Sequence, residues 1–504
     1  MDMARQSLSD RPPLEAPSGP DLVRWLAADP GVRDRSLTDG RHTVPYSGTT
    51  VLLERLDDLF ARSGVTLRHP VALECSQTVA GALALLHLLS RQYDVVLLPE
   101  LGEASKEAGM PRFIPSFCSH VITVAAARTR TAGSPEEAVE TAANESFAEE
   151  PVIADFPGPD LYLRTSGSTG VPKLSRMSHQ KWLNNAMACV ERWKLTSADR
   201  LTVPVPIFHS YGFGAAFLPG LLAGAAMDVG SGGNILRYLD REDLFNPNVA
   251  FLTPALCDMF LSVRKRPRFY RLAVTAGDKI KPETMEGFEP RFGPLLNLYG
   301  SAEMGAVSSA SPEDPPETRL GTAGHPLAGI ELRVEEAGSD IEVAEGEEVG
   351  LLHCRQKNGF AGYLILEEER WRFEPRGEDD WFSTGDLAKI RADGYVQILG
   401  RSGLSVKRDG LLVVFADVES AVEKTGGIQR AVVVTAGETR RGPRLVAVCL
   451  PRPGETLDPE AVRHKCFDLL PRYAVPDEVR IVDALPHLPS GKVDRRAVRD
   501  LVVE

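Results

Sequence analysis

The sequence predicts an α/β protein. It expects a large N-terminal domain of mixed α/β sheets with a β-rich subdomain, followed by a small α+β domain at the C-terminal end. Three observations predict this. The chain has 504 residues, too many for one ordinary hydrophobic core. Helix-like and strand-like segments alternate through its first 300 or so residues. The charge balance changes after Arg401: residues 402–504 hold 16 Lys+Arg against 15 Asp+Glu, whereas residues 1–401 hold 41 against 55.

Taken in order, residues 1–20 are polar and proline-rich and are expected to form a flexible leader. Residues 52–64 have helical spacing, 69–75 read as a strand, 78–91 as a helix and 94–100 as a strand. Such alternation implies parallel strands with covering helices. Residues 129–151 are polar and are expected to be a surface connection with one helix at most. A second alternating block covers 161–307, and a β-rich region reaches Arg401. Beyond it the pattern reads as hairpin (404–414), helix (417–423), strands (431–434 and 445–450), helix (459–470), then a strand and a tail. The expected domains are therefore 21–401 and 402–504, behind the leader 1–20.

The composition excludes several functional classes. A formal net charge of −13 disfavours general nucleic-acid binding. The longest apolar runs, such as GALALLHLL, are too short to span a bilayer, so no membrane partner is expected. Seven scattered cysteines with no CxxC pair read as reduced thiols, which points to a cytoplasmic protein. Only 13 of the 57 basic residues are lysine, so a lysine inside a motif carries more weight than usual.

The stretch TSGSTGVPK at 165–173 is the clearest chemical signal. It follows a strand expected at 160–164 and precedes a helix that Ser178 is suited to cap. Gly167 and Gly170 allow left-handed turns whose successive N–H groups form an anion-binding nest. Thr165, Ser166, Ser168 and Thr169 add hydroxyls, and Lys173 adds a mobile positive charge. The combination suits a polyanion such as a triphosphate. A Walker A loop is excluded because its second glycine would fall at Pro172, and the spacing of Gly167 and Gly170 does not fit a Rossmann fingerprint.

In that order TSGSTGVPK resembles the phosphate loop of the ANL superfamily, which comprises acyl- and aryl-CoA synthetases, peptide-synthetase adenylation domains and luciferases. Further segments resemble the family's motifs in sequence order. PVPIFHSYGFG (204–214) resembles the segment beside the acyl pocket and implies His209, Ser210 and Phe213 as pocket residues. It lacks the aspartate that would pair an α-ammonium group, whose burial unpaired is costly, so an ordinary α-amino acid substrate is disfavoured. LAVTAGDKI (272–280) resembles the strand and turn between the acyl and adenine sites, implicating Thr275, Ala276, Gly277 and Asp278. NLYGSAEMG (297–305) implies Asn297, Leu298, Tyr299, Gly300 and Ser301 around ATP, Ala302 in the pocket and Glu303 as the Mg²⁺ ligand. WFSTGDLAKI implies Asp386 on the ribose, and ILGRSGLSVKRDG implies Ile398 and Arg401 at the nucleotide and a hinge. LPSGKVDRRAV implies Lys492 as the catalytic lysine.

The resemblance implies a two-step reaction. A carboxylate attacks the α-phosphate of ATP, assisted by Thr169, Lys173, Glu303 and Lys492, and pyrophosphate leaves. The small domain then rotates, and a hairpin carrying Lys407, Arg408 and Gly410 serves attack by a thiol of CoA or of phosphopantetheine on an acyl carrier protein. Three residues depart from the family pattern: Leu174 where glycine is common, Ala302 where a hydroxyl is usual, and Gly403 where the hinge residue is usually charged. They support an alternative, a non-catalytic nucleotide-binding or regulatory protein of the same fold. Retention of Glu303, Asp386 and Lys492 argues against it.

Overall fold

The structure is a computed structural model that describes residues 15–100, 112–149, 158–165, 173–230, 235–336, 347–409, 411–486 and 493–503. By its internal contacts the chain divides into two compact units, Met1–Glu331 with Cys354–Trp381, and Leu332–His353 with Phe382–Glu504. Among the described residues, no helix is long and apolar enough to cross a membrane.

The first unit is built on two large sheets. In one, the strands Asp160–Arg164, Val95–Pro99, Val71–Cys75 and His120–Val124 run parallel as neighbours. Antiparallel strands extend both edges, Val139–Ala143 beyond His120–Val124, and Lys173–Ser178, Gly362–Glu367 and Arg370–Pro375 on the other side. The other sheet has a parallel centre through Leu295–Ser301, Leu272–Thr275, Val249–Leu252, Arg200–Thr202, Ala226–Asp228 and Ser36–Thr38. The alternation read from the sequence thus has the expected consequence. The helix Val79–Ser90 buries every one of its residues, as a helix that is apolar all round must.

The second unit contains most of a four-stranded sheet, ordered Ile330–Glu336, Glu348–Gln356, Phe382–Ile390 and Val396–Arg401. It also holds the hairpin Ser405–Arg408 with Leu411–Val414, and a three-stranded sheet of Ile428–Thr439, Gly442–Pro451 and Glu478–Ile481. Val418, Val422, Val433, Ala447 and Cys466 lie in one core of this unit, and Val432, Val446, Val448, Val498 and Val502 in another.

Several readings differ from the structure in detail. By contacts, residues 332–353 as well as 382–401 group with the C-terminal residues, a division that charge balance does not follow. Surface charge reports composition, whereas strand pairing decides contacts. The segment expected as a leader is docked at its described end. Ala16 is buried, its N–H donates to Asn184 Oδ1 at 2.9 Å, and a helix begins at Gly19. The connection at 129–149 contributes the edge strand Val139–Ala143, which is mostly exposed and has too short an apolar pattern to stand out. The segment expected as a tail forms the helix Arg495–Val503, whose apolar residues Ala497, Val498, Leu501 and Val502 recur at helical spacing, with Val498 and Val502 buried.

Candidate active site

The strand Asp160–Arg164 leads into the glycine-rich stretch, and Thr165 N–H donates to the Lys173 carbonyl at 3.0 Å. The chain then forms the strand Lys173–Ser178, antiparallel to the first, before the helix His179–Trp193 begins. The helix expected after Ser178 is present, with the Ser178 side chain accepting from Lys181 N–H at 3.3 Å. The strand before it has no separate sequence signal, because it is only six residues long and runs directly from the loop into the helix. Ser166, Gly167, Ser168, Thr169 and Gly170 lie outside the described residues, as do Gly410 and Lys492.

The strands Leu272–Thr275 and Leu295–Ser301 are parallel neighbours, with Thr275 opposite Asn297. Their carboxyl ends are where open α/β sheets bind ligands. Thr275 ends one strand and Ala276, Gly277 and Asp278 follow it, while Asn297, Leu298, Tyr299, Gly300 and Ser301 belong to the other. Gly277 has φ +93° and no atom within 4 Å of the place a Cβ would take, so this turn leaves open backbone. Pairing with Gly305–Ser309 is irregular between Tyr299 and Gly300, and a Cβ on Gly300 would meet the Gly305 carbonyl oxygen at 2.3 Å. Only glycine fits beside Tyr299 there.

Residues 301–304 form a turn held on several sides. Met304 N–H donates to Ser301 Oγ at 3.1 Å, and Phe360 N–H donates to the Glu303 carbonyl at 2.8 Å. Ser175 Oγ donates to the Ala302 carbonyl at 3.1 Å. The Gln356 side chain donates to the Met304 carbonyl. From the helix His179–Trp193, buried Asn185 makes a pair of 2.8 Å bonds with the N–H and carbonyl of Ala306. These contacts fix the backbone from which Glu303 projects.

Tyr363 joins Glu303 to Lys173. Its hydroxyl donates to Glu303 Oε1 at 2.9 Å, and Lys173 Nζ lies 3.5 Å from its ring centroid. The metal expected at Glu303 fits this donor set. A carboxylate accepting one hydrogen bond retains lone pairs for a hard cation, and Mg²⁺ is commonly held by one or two carboxylates plus substrate phosphates. Among the described residues, no group of three or more His, Cys, Asp or Glu forms a cage that would hold a metal by itself.

Tyr211 ties the PVPIFHSYGFG segment to the same strand ends, donating to the carbonyls of Leu252 at 3.0 Å and Val274 at 2.8 Å. Burial holds its phenol well above the usual tyrosine range. His209 is exposed and packs beside Phe208, with Ser210 following it. Phe213, expected in the pocket wall, is fully buried. It packs edge-on against Trp182, with ring centroids 5.3 Å apart, so it stands behind the surface of the site.

In the second unit, Arg401 Nε lies 3.0 Å from Asp386 Oδ1, and its Nη1 donates to the Thr384 carbonyl at 2.9 Å. Ile398 lies on the neighbouring strand, opposite Ala388. Lys407 occupies the strand Ser405–Arg408 opposite Leu412. Arg408, expected beside Lys407 as an accessible cation, is fully buried instead. It donates to both Asp477 carboxylate oxygens, at 2.7 and 2.9 Å, and to the Val475 carbonyl at 3.1 Å. A run of two basic residues does not reveal that one of them is buried, because facing alternates along a strand.

Sequence reasoning missed Tyr363, Ser175, Asn185, Gln356 and Tyr211. Tyr363 and Ser175 stand directly opposite each other on paired strands, yet they are far apart in sequence. The short apolar run YLIL is a local signal for that strand, and it does not show which strand it pairs with.

Comparison with known proteins bears on the whole arrangement. The AMP-binding enzyme family model matches residues 96–364, and that of the AMP-binding enzyme C-terminal domain matches 417–492. The chain is 28% identical over 380 residues to a Streptomyces sp salicylyl-CoA synthase / salicylate adenylyltransferase, covering 70% of this chain and 66% of that protein. It is 29% identical over 345 residues to a Rhodococcus jostii CoA ligase for a methyl-dioxo-octahydroindenyl propanoyl group, covering 67% of this chain and 64% of that one. The matched part thus spans a little under two thirds of these relatives. The fold matches that of ATP-bound MatB from Rhodopseudomonas palustris with a TM-score of 0.76 at 21% identity, over 97% of this chain and 99% of that one.

Proposed function

Because the chain belongs to the AMP-binding enzyme family, within the ANL superfamily of adenylate-forming enzymes, we propose that it is an ATP-dependent carboxylic acid ligase. It forms an acyl- or aryl-adenylate and pyrophosphate, then passes the acyl group to the pantetheine thiol of CoA or of a carrier protein. The observation that carries this reading is the convergence of Lys173 and Glu303 on Tyr363, beside strand ends suited to a nucleotide.

In the first step a carboxylate oxygen attacks the α-phosphorus, forming the acyl–phosphate bond. The bond to the β-phosphate oxygen breaks, and its electron pair leaves with pyrophosphate. The nucleophile is already an anion, so no general base is required. The loop N–H groups, Thr169 and Lys173 hold the β- and γ-phosphates, Tyr299 and Asn297 receive adenine, and Asp386 and Arg401 receive the ribose. Lys492 meets the charge developing on the α-phosphate. Glu303 would hold Mg²⁺, which when bound offsets phosphate charge. In the second step Lys407 favours the thiolate that attacks the adenylate carbonyl, and AMP leaves.

The acid lacks an α-ammonium group, since PVPIFHSYGFG offers no carboxylate to pair it. Similarity to the salicylate-activating relative favours an aryl acid. Hydroxamate trapping with ATP and a panel of aryl and alkyl acids tests the reading. An acid-dependent signal is expected with at least one member. Nucleotide binding without pyrophosphate exchange for any acid would favour the non-catalytic alternative. Lys492→Ala is expected to abolish exchange, and normal exchange in the folded variant would remove this lysine from the first step. Lys407→Ala is expected to slow thioester formation far more than exchange.

A further inference from the structure

We propose that Tyr363 is a positioning residue that keeps Lys173 and Glu303 apart and aimed at the same ligand, a polyphosphate with its divalent cation. The proposal rests on the nucleotide reading given above. Its origin is strand register. Tyr363 stands opposite Ser175 on paired antiparallel strands, and Lys173 lies two residues from Ser175, diagonal to Tyr363 on the same face. A long lysine side chain can therefore reach across the tyrosine ring, where its Nζ is 3.5 Å from the centroid. Phe360 supports the ring edge-on, with centroids 4.7 Å apart, and the phenol hydroxyl donates to Glu303 Oε1 at 2.9 Å.

The placement resolves a conflict of charge. An ammonium and a carboxylate on one face pair readily, and a direct pair would occupy the groups needed to meet phosphate and cation. Tyr363 satisfies each separately. Its ring face attracts the ammonium and its hydroxyl satisfies one carboxylate oxygen. A phosphate outcompetes the ring for Lys173 because charge-assisted hydrogen bonds are the stronger interaction. The tyrosine thus holds the two groups apart without contacting the reacting atoms itself.

Two variants separate the parts of this role. Tyr363→Phe keeps the ring and removes the hydroxyl, whereas Tyr363→Leu removes both. Binding of a non-hydrolysable ATP analogue is measured by calorimetry with and without Mg²⁺, alongside circular dichroism and thermal unfolding. For Tyr363→Phe, the gain in affinity that Mg²⁺ confers is expected to fall about three- to tenfold, with metal-free binding little changed. For Tyr363→Leu, metal-free binding is expected to weaken about tenfold as well, because Lys173 pairs with Glu303. A role confined to packing would lower the unfolding temperature and leave both affinities unchanged in the folded protein, and that result overturns the proposal. If the variants shift binding as expected but no acid supports exchange, the ligase reading falls and this one stands. If the wild-type chain binds no Mg²⁺–nucleotide, both fall.

Discussion

Leu174, the residue after the loop lysine, looks from the sequence like a defect in a phosphate motif. It is fully buried on the strand Lys173–Ser178, in a core with Ala72, Val96, Tyr162, Leu364 and Trp371. A glycine there would leave a hole in this core. Leu174→Ala is expected to destabilise the chain by about 2–4 kcal/mol, read from denaturant unfolding. Ala302 is a different kind of departure. Its carbonyl accepts from Ser175 and its backbone is held by the turn, so the position is well ordered despite the missing hydroxyl. Ala302→Thr is expected to raise kcat/KM for ATP in exchange by up to about tenfold, the value of roughly one hydrogen bond. An unchanged or lower kcat/KM would mean that the hydroxyl has no phosphate partner here. Gly403 lies in the short helix Ser402–Leu404 with nothing within 4 Å of the place a Cβ would take, so a charged residue could be borne there without a clash.

At the scale of elements, charged groups buried at strand and helix ends decide how the pieces hold together. Arg408 fastens the hairpin Ser405–Arg408 and Leu411–Val414 to Asp477, just before the strand Glu478–Ile481. Arg408→Ala removes one partner of a buried ion pair and is expected to cost about 3 kcal/mol, seen as a lower urea midpoint. Near the start of the glycine-rich hairpin, buried His179 and half-buried Asp94 are shifted in opposite senses. Burial lowers His179, at the head of its helix, to about 4 from an ordinary value of 6.5. Its contribution to stability is complete above the ordinary value and is lost as pH falls from there towards 4. Burial raises Asp94 to about 6 from 3.8, against the bond it accepts from Asp160 N–H at 2.6 Å. The stability tied to its protonated form is present below 3.8 and lost as pH rises through 6. Relative to wild type, Asp94→Asn is therefore expected to gain up to about 3 kcal/mol between pH 4 and 7. His179→Gln is expected to gain on wild type in the opposite direction, as pH falls from 6.5 to 4. Urea unfolding at several pH values checks both signs.

At the scale of the whole molecule, the expected thiol state has a direct counterpart. All seven cysteines are free and buried, and burial raises Cys75, Cys118, Cys189, Cys257, Cys354, Cys449 and Cys466 above the usual thiol range. A thiol reagent is expected to find almost none reactive in the native protein and seven after denaturation. Rapid reaction of one thiol in the native state would expose an opening that the packing does not provide. The second unit has cores of its own around Val433 and Val446, so unfolding is expected to show more than one transition. Val433→Ala should move one transition and leave the other in place.

What the sequence by itself determined is what local chemistry and order can carry. TSGSTGVPK, NLYGSAEMG and LPSGKVDRRAV carry the family resemblance and with it the expected phosphate, nucleotide and lysine positions, and the period of the apolar residues located most helices and strands. The short edge strand Val139–Ala143 escaped it, and so did the helix Arg495–Val503, whose helical spacing runs for only nine residues. Only the tertiary structure decided which groups meet. Tyr363 lies between Lys173 and Glu303 because antiparallel register sets it opposite Ser175, and Arg408 turns inward to Asp477 while sharing a basic dipeptide with Lys407. Register and facing depend on pairing between distant segments, whose energy is collected only when the sheets close, so no local window of sequence contains them.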